Sequence, residues 1–329
     1  MASDLDGFRI GPVELSFVGG GLRRPECVLC TAGGDIYVSH WSDQGGVTRI
    51  ANTGVQHDIV GTDAAIGTNG FAISAEGDFL LANLHPEGGG GAWRLRRDGS
   101  AEPFLNEIDG RGLPPANFVG VDTEGRVWIT VSTWREPRFL AYRKDVADGF
   151  IVLVDKRGAR IVADGLGYTN EAIVHPSGDW LYVNETMARR TTRFPIQAGG
   201  RLGRRETVAE YGAGVYPDGL AFDEAGGVWM TSVLSNRLIH VAPDGTQTVI
   251  IEENDPDELA RLEAIYQAGE LSHEHMSSIR TEVMKSISSI AFGGPDRRTV
   301  YLGNLLDDRL YSFRSPIAGA KPPHWQFAW

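Results

Sequence analysis

The chain has 329 residues, 42% of them hydrophobic and 22% charged, which is the composition of a folded globular protein rather than a disordered one. Its net charge of −12 lacks the basic footprint that nucleic-acid phosphates require. No stretch reaches the ~18 apolar residues of a membrane span.

The opening Met1-Ala2-Ser3-Asp4-Leu5-Asp6 has neither the basic nor the apolar segment of a secretory leader, so a cytoplasmic location is expected. The run Val13-Glu14-Leu15-Ser16-Phe17-Val18 then alternates in polarity and reads as a strand. It precedes six copies of one short pattern. The copies begin at Pro25-Glu26, Thr68-Asn69, Ala116-Asn117, Thr169-Asn170, Pro217-Asp218 and Ile287-Ser288. In the first five, a turn glycine follows the polar residue after eight positions: Gly34, Gly77, Gly125, Gly178 and Gly226. The sixth has Asp296 at that offset.

Within each copy a short apolar strand, a turn and a second apolar strand follow the polar residue. Eleven positions beyond it stand Tyr37, Leu80, Trp128, Leu181 and Trp229, large residues in one register, as expected where sheets pack face to face. Further hairpin signals come next, as in Ala92-Trp93-Arg94-Leu95 before Asp98-Gly99. Cys27 and Cys30 form the one C-x-x-C, but in a strand residues three apart point to opposite faces. They read as structural thiols. Gly88-Gly89-Gly90-Gly91 has no G-K-[ST] after it and reads as a hairpin tip.

The copies lie 43, 48, 53, 48 and 70 residues apart, against about 40–50 for one four-stranded propeller blade. The expected fold is therefore all-β, a six-bladed β-propeller forming a single domain over 1–329. Its N-terminal strand should complete the last blade and close the ring. Helical patterning is confined to the longest interval. Leu259, Leu262, Ile265 and Tyr266 recur at helical spacing between Asp255-Pro256, a start signal, and Gly269, a stop. Residues 252–285 are expected as an insertion covering the site. Its Ser272-His273-Glu274-His275-Met276 lacks the H-E-x-x-H spacing, and reads either as a solvated loop or helix cap, or as dropping over the channel mouth to bring His275 to substrate for proton transfer.

The innermost strand of each blade lines a propeller's channel, so Glu26, Asn69, Asn117, Asn170, Asp218 and Ser288 should form one layer there. Two facing carboxylates need a cation or a shared proton between them, and oxygen ligands suit a hard cation. The plainer alternative is a polar channel filled with water. Arg189-Arg190 and Arg204-Arg205 read as solvated loop charges, and Trp134, His324, Trp325 and Trp329 as surface packing.

Four segments carry a family resemblance over roughly residues 20–310. They are Pro25-Glu26; Asn117 with Val121-Asp122 and Gly125-Arg126; Asn170 with His175-Pro176-Ser177-Gly178-Asp179-Trp180-Leu181-Tyr182; and Tyr216-Pro217-Asp218-Gly219-Leu220-Ala221-Phe222-Asp223. They resemble the senescence-marker-protein/gluconolactonase family of six-bladed propellers. The resemblance implies that Glu26, Asn170 and Asp218 bind one divalent metal ion, Ca²⁺ first, with Mg²⁺, Mn²⁺ or Zn²⁺ as alternatives. It places Asn117 against metal-bound water or substrate and implies hydrolysis of a lactone, a small-molecule substrate. Asp218 is the expected proton acceptor.

The substrate wall is expected to hold Asn69, Asn117, Phe118, Glu171, Ser288 and His275. The chain departs from the family in having Asn117-Phe118 for Asn-Asp and Asn170-Glu171 for Asn-Gly. It also has Pro114-Pro115-Ala116 where the family has an arginine. These changes suggest a less polar lactone or ester. The competing readings are a strictosidine-synthase-like or isomerase propeller, and a non-catalytic binding propeller.

Overall fold

Each copy of the pattern folds into one four-stranded antiparallel sheet, and six such sheets make a β-propeller. The computed structural model describes residue 5 and residues 7–62, 65–85 and 89–329. Most of the opening segment read for a leader, and Gly88 of the glycine run, lie outside the described residues. The innermost strands are Val28–Cys30, Thr68–Ile73, Ala116–Val121, Thr169–Val174, Pro217–Phe222 and Ile287–Gly293. The remaining strands of each blade follow outward in chain order, except in the last. There the outermost position is taken by Ser16–Val18, paired antiparallel with Leu310–Arg314 (Ser16 opposite Ser312, Val18 opposite Leu310). The ring is closed by the N-terminal strand as expected, although Pro12–Glu14 turns as a 3₁₀ helix instead of extending it.

The packing between blades follows the register of the copies. Tyr37, Leu80, Trp128, Leu181 and Trp229 are all buried. Burying an indole N–H needs an acceptor. Asp122 Oδ2 accepts from Trp128 Nε1 at 2.8 Å, and Asp223 Oδ2 from Trp229 Nε1 at 2.9 Å. Both aspartates stand five residues after the polar position of their copy, so each bond ties the far end of an innermost strand to its neighbour.

At the polar position itself the ladder is broken. Pairing shifts register between Thr68 and Phe71, Ala116 and Phe118, Thr169 and Ala172, Pro217 and Leu220, and Ile287 and Ile290. A bulge bends its strand and re-aims the side chain on it, which turns Asn69, Asn117, Asn170 and Asp218 toward the axis. Glu26 lies just before its strand. There Arg24, in the left-handed region (φ 50°), turns the chain instead. The strands also approach closely. A Cβ on Gly219 would stand 2.5 Å from both the Ser288 carbonyl oxygen and Ser289 Cα, so only glycine fits beside Asp218.

Two further segments lie at the ends of the channel. At the end remote from the polar layer, residues 318–327 run across the strand ends. Ala320 N–H donates to Phe222 O (2.9 Å) and Ala32 N–H to Trp325 O (2.7 Å). Phe327 and Trp329 pack on Tyr37 and Phe79. Trp325 is therefore buried, not a surface residue.

At the opposite end lie helix α1 (Pro256–Ala268), helix α2 (His273–Met276) and a 3₁₀ turn at Arg138–Ala141. The Asp255 side chain caps α1 and Gly269 (φ 74°) ends it, as the start and stop signals require. Leu262 and Tyr266 of α1 pack with Tyr142, Tyr168, Met187 and Tyr216. Arg189, read as a solvated loop charge, is buried and pairs with Glu263 of α1 at 2.8 Å. Its neighbour Arg190 pairs with the buried Glu185 at 2.8 Å. Among the described residues no helix is long and apolar enough to cross a membrane.

Candidate functional site

The bulged ends of the innermost strands open into a cavity of about 490 Å³. Glu26, Asn69, Asn117, Asn170 and Asp218 line its floor, so five of the six polar positions meet in one place. Asn69 is the hub of that floor. Its Nδ2 donates to Glu26 Oε1 (2.9 Å) and to the Asn117 carbonyl (2.8 Å), while its Oδ1 accepts from Arg24 Nη1 (2.9 Å).

The other two amides are anchored from behind. Asn117 Nδ2 donates to Ser132 Oγ (3.2 Å), and Asn170 Nδ2 to Thr186 Oγ1 (3.0 Å), which itself donates to Pro217 O (2.7 Å). With the NH₂ groups so engaged, the amide oxygens are left over. Asn117 Oδ1, Asn170 Oδ1 and Glu26 Oε2 are buried without a hydrogen-bond partner. Each such oxygen costs about 1–3 kcal/mol of desolvation, and they share one cavity floor.

The carboxylates carry the same message. Burial first, against the opposing charges of Arg24 and Arg138 and the Asn69 hydrogen bond, pushes Glu26 up to about 7. Burial first, and then the charge of Glu26, pushes Asp218 well above the usual carboxylate range. Two buried acids that repel each other, beside two unpartnered amide oxygens, fit a hard cation. Among the described residues no three His, Cys, Asp or Glu side chains cluster. This donor set is carboxylate and amide, so it suits Ca²⁺ or Mg²⁺ better than Zn²⁺, which favours His and thiolate.

Four residues expected in the substrate wall stand outside the cavity. Ser288 is turned back, with its Oγ donating to the Glu26 carbonyl (2.7 Å), so it braces the chain at Glu26. Phe118 packs in the apolar cluster with Tyr37, Phe71 and Phe79. Glu171 is buried and accepts from Leu220 N–H at 2.8 Å. It holds two innermost strands together rather than facing the cavity. His275 caps α2, its Nδ1 lying 2.9 Å from both the amide and the hydroxyl of Ser272. The insertion instead brings His273, Met276 and Ser277 into the lining.

Two arginines do stand in the wall, contrary to the expectation from Pro114-Pro115-Ala116. Arg24 lies over the Trp41 ring at 4.9 Å. Arg138 donates from Nε to Tyr168 OH (2.6 Å) and from Nη2 to Ser132 Oγ (3.3 Å). Neither belongs to the repeated pattern, since one precedes the first copy's strand and the other sits in an insertion. The 53-residue interval between Asn117 and Asn170, longer than its neighbours, was the available sign of that insertion.

Comparison with known proteins gives the chain a family. Residues 62–253 match the family described as SMP-30/Gluconolactonase/LRE-like region. The 6-deoxy-6-sulfogluconolactonase of Pseudomonas putida is 26% identical over 243 residues, 73% of this chain and 67% of the relative. Among solved structures, a gluconolactonase from Xanthomonas campestris superposes with a TM-score of 0.61 at 17% identity, covering 93% of this chain and 88% of that one. A calcium-binding protein, regucalcin, from Agrobacterium tumefaciens does so with 0.67 at 16%, covering 94% and 98%. At these identities the structural likenesses establish the fold alone.

Proposed function

The chain belongs to the SMP-30/gluconolactonase/LRE-like family, and on that footing we propose that it hydrolyses a lactone in the cavity above Glu26, Asn170 and Asp218. The observation that carries this reading is the group of unpartnered buried oxygens, Glu26 Oε2, Asn117 Oδ1 and Asn170 Oδ1, beside a second buried acid, Asp218. A divalent cation would be held by Glu26, Asn170 and Asp218, and its chemistry is that of a Lewis acid toward a carbonyl. Ca²⁺ is favoured by the all-oxygen donor set and by the calcium-binding relative.

The chain's own residues supply the rest. Asn117, fixed by Ser132, offers its free amide oxygen to a substrate hydroxyl, while Asn69 locks the Glu26 side chain in place. Asp218 accepts the proton as water adds to the ester carbon, and as the ring C–O bond breaks it passes that proton to the leaving alcohol oxygen. Tyr142, Tyr168 and Met276 give the cavity apolar walls, which strengthen charge interactions inside it. Residues 252–285 act as a cover over this mouth, since His273 and Met276 stand in its lining. Phe118 and Glu171 lie outside the cavity, so they give no reason to prefer a less polar substrate. The gluconolactonase and sulfogluconolactonase relatives support a sugar lactone.

Lactone opening followed with a pH indicator tests the proposal. Chelation should abolish activity and Ca²⁺ restore it, and Asp218→Asn should lower kcat by at least about a hundredfold, the range of general acid–base contributions. Full activity in Asp218→Asn would refute it.

A further inference from the structure

We propose that Arg24 and Arg138 form an anion subsite, so that the preferred lactone carries a fixed negative charge such as sulfonate, carboxylate or phosphate. This rests on the lactonase reading and adds to it the charge of the substrate. The first observation is what these arginines lack. Several other arginines of low exposure are paired, as in Arg49–Asp35 (2.7 Å), Arg126–Asp122 (2.6 Å) and Arg189–Glu263 (2.8 Å). Among the described residues neither Arg24 nor Arg138 has a carboxylate within ion-pair distance. Their hydrogen bonds go to neutral oxygens only, those of Asn69, Tyr168 and Ser132.

A guanidinium has five N–H donors. Arg24 uses one and Arg138 two, and both residues line the cavity. Both guanidinium groups thus stand in the wall of one cavity. Two like charges beside unused donors are the arrangement that an oxyanion satisfies in forked fashion.

Charge balance points the same way. Glu26 and Asp218 together would offset a divalent cation, which would leave the two guanidinium charges uncompensated in the cavity of a protein whose net charge is −12. A neutral lactone would leave that excess in place, whereas an anionic one removes it and is drawn into a positive cleft. Arginines present only to balance Glu26 would, on their loss, weaken every substrate to the same degree.

The test compares one sugar δ-lactone in two forms, with a terminal sulfonate and with a terminal hydroxyl, on the Ca²⁺-loaded protein. The wild type should favour the sulfonated form in kcat/KM by at least tenfold, and less so as salt is raised. Arg24→Gln and Arg138→Gln should each cut that ratio at least tenfold, chiefly through KM, while Arg138→Lys retains part of it. An unchanged ratio in both Gln variants, with hydrolysis intact, would overturn the subsite and leave the lactonase reading standing. Calorimetric binding of the ring-opened sulfonated acid needs no hydrolysis. Arginine-dependent binding without turnover would sustain the subsite against the lactonase reading, and no binding would overturn it.

Discussion

Glu26 is the residue on which ion binding and acid–base balance meet. Burial raises it to about 7, against about 4.3 in an unfolded chain. A raised carboxyl stabilises the fold while it is protonated, at pH below its unfolded value, and that contribution is lost as pH climbs to about 7. Metal-free protein should therefore lose stability between about pH 4.3 and 7. Added Ca²⁺, which needs the ionised form, should raise Tm more at pH 8 than at pH 5. Scanning calorimetry with and without Ca²⁺ checks this, and an equal rise at both pH values would contradict it. The identity of these floor residues was legible in the sequence because Glu26, Asn69, Asn117, Asn170 and Asp218 recur at one offset in successive copies. Arg24 and Arg138 were not legible, because each reaches the cavity from a segment outside the repeat.

Strict alternation sets residue and successor on opposite faces, as Asn117 with Phe118 and Asn170 with Glu171 do, but no residue type announced the bulge that stands at the polar position of five innermost strands. Its cost is close strand approach, which Gly219 accommodates. Gly219→Ala would press a methyl group on the Ser288 carbonyl and should destabilise by about 1–3 kcal/mol, the usual range for overpacking, read from urea denaturation. Loss of Ca²⁺ affinity should accompany it, since Asp218 is adjacent.

The C-terminal segment carries a second element-scale expectation. His324, whose Nε2 has no partner, is held down to about 4 by burial. A depressed histidine costs stability as pH falls from its unfolded value, about 6.5, toward 4, because the unfolded chain binds the proton first. His324→Leu should flatten that acid limb in a pH series of melting temperatures. An unchanged limb would show that this histidine does not set it.

At the scale of the molecule, the six-bladed ring follows from a period that length and glycine spacing made plain, and the closing strand follows from an unpaired alternating run ahead of it. Of the segments at the two ends, residues 252–285 were expected over the site, and the C-terminal crossing was not. The helical segment was legible as a helix but its facing residue was not, since His275 is spent on capping α2 while His273 stands in the cavity lining. In the C-terminal crossing His324, Trp325 and Trp329 were read as surface packing, and its Pro322-Pro323 gives no strand or helix period.

What unites the molecule is convergence of oxygen ligands from separate blades, and calorimetric titration of metal-free protein with Ca²⁺ tests that most directly. One ion should bind per chain in the wild type, and binding should be lost in Glu26→Gln and in Asp218→Asn. Retention of full affinity in both variants, or no binding of Ca²⁺, Mg²⁺ or Mn²⁺ by the wild type, would contradict it.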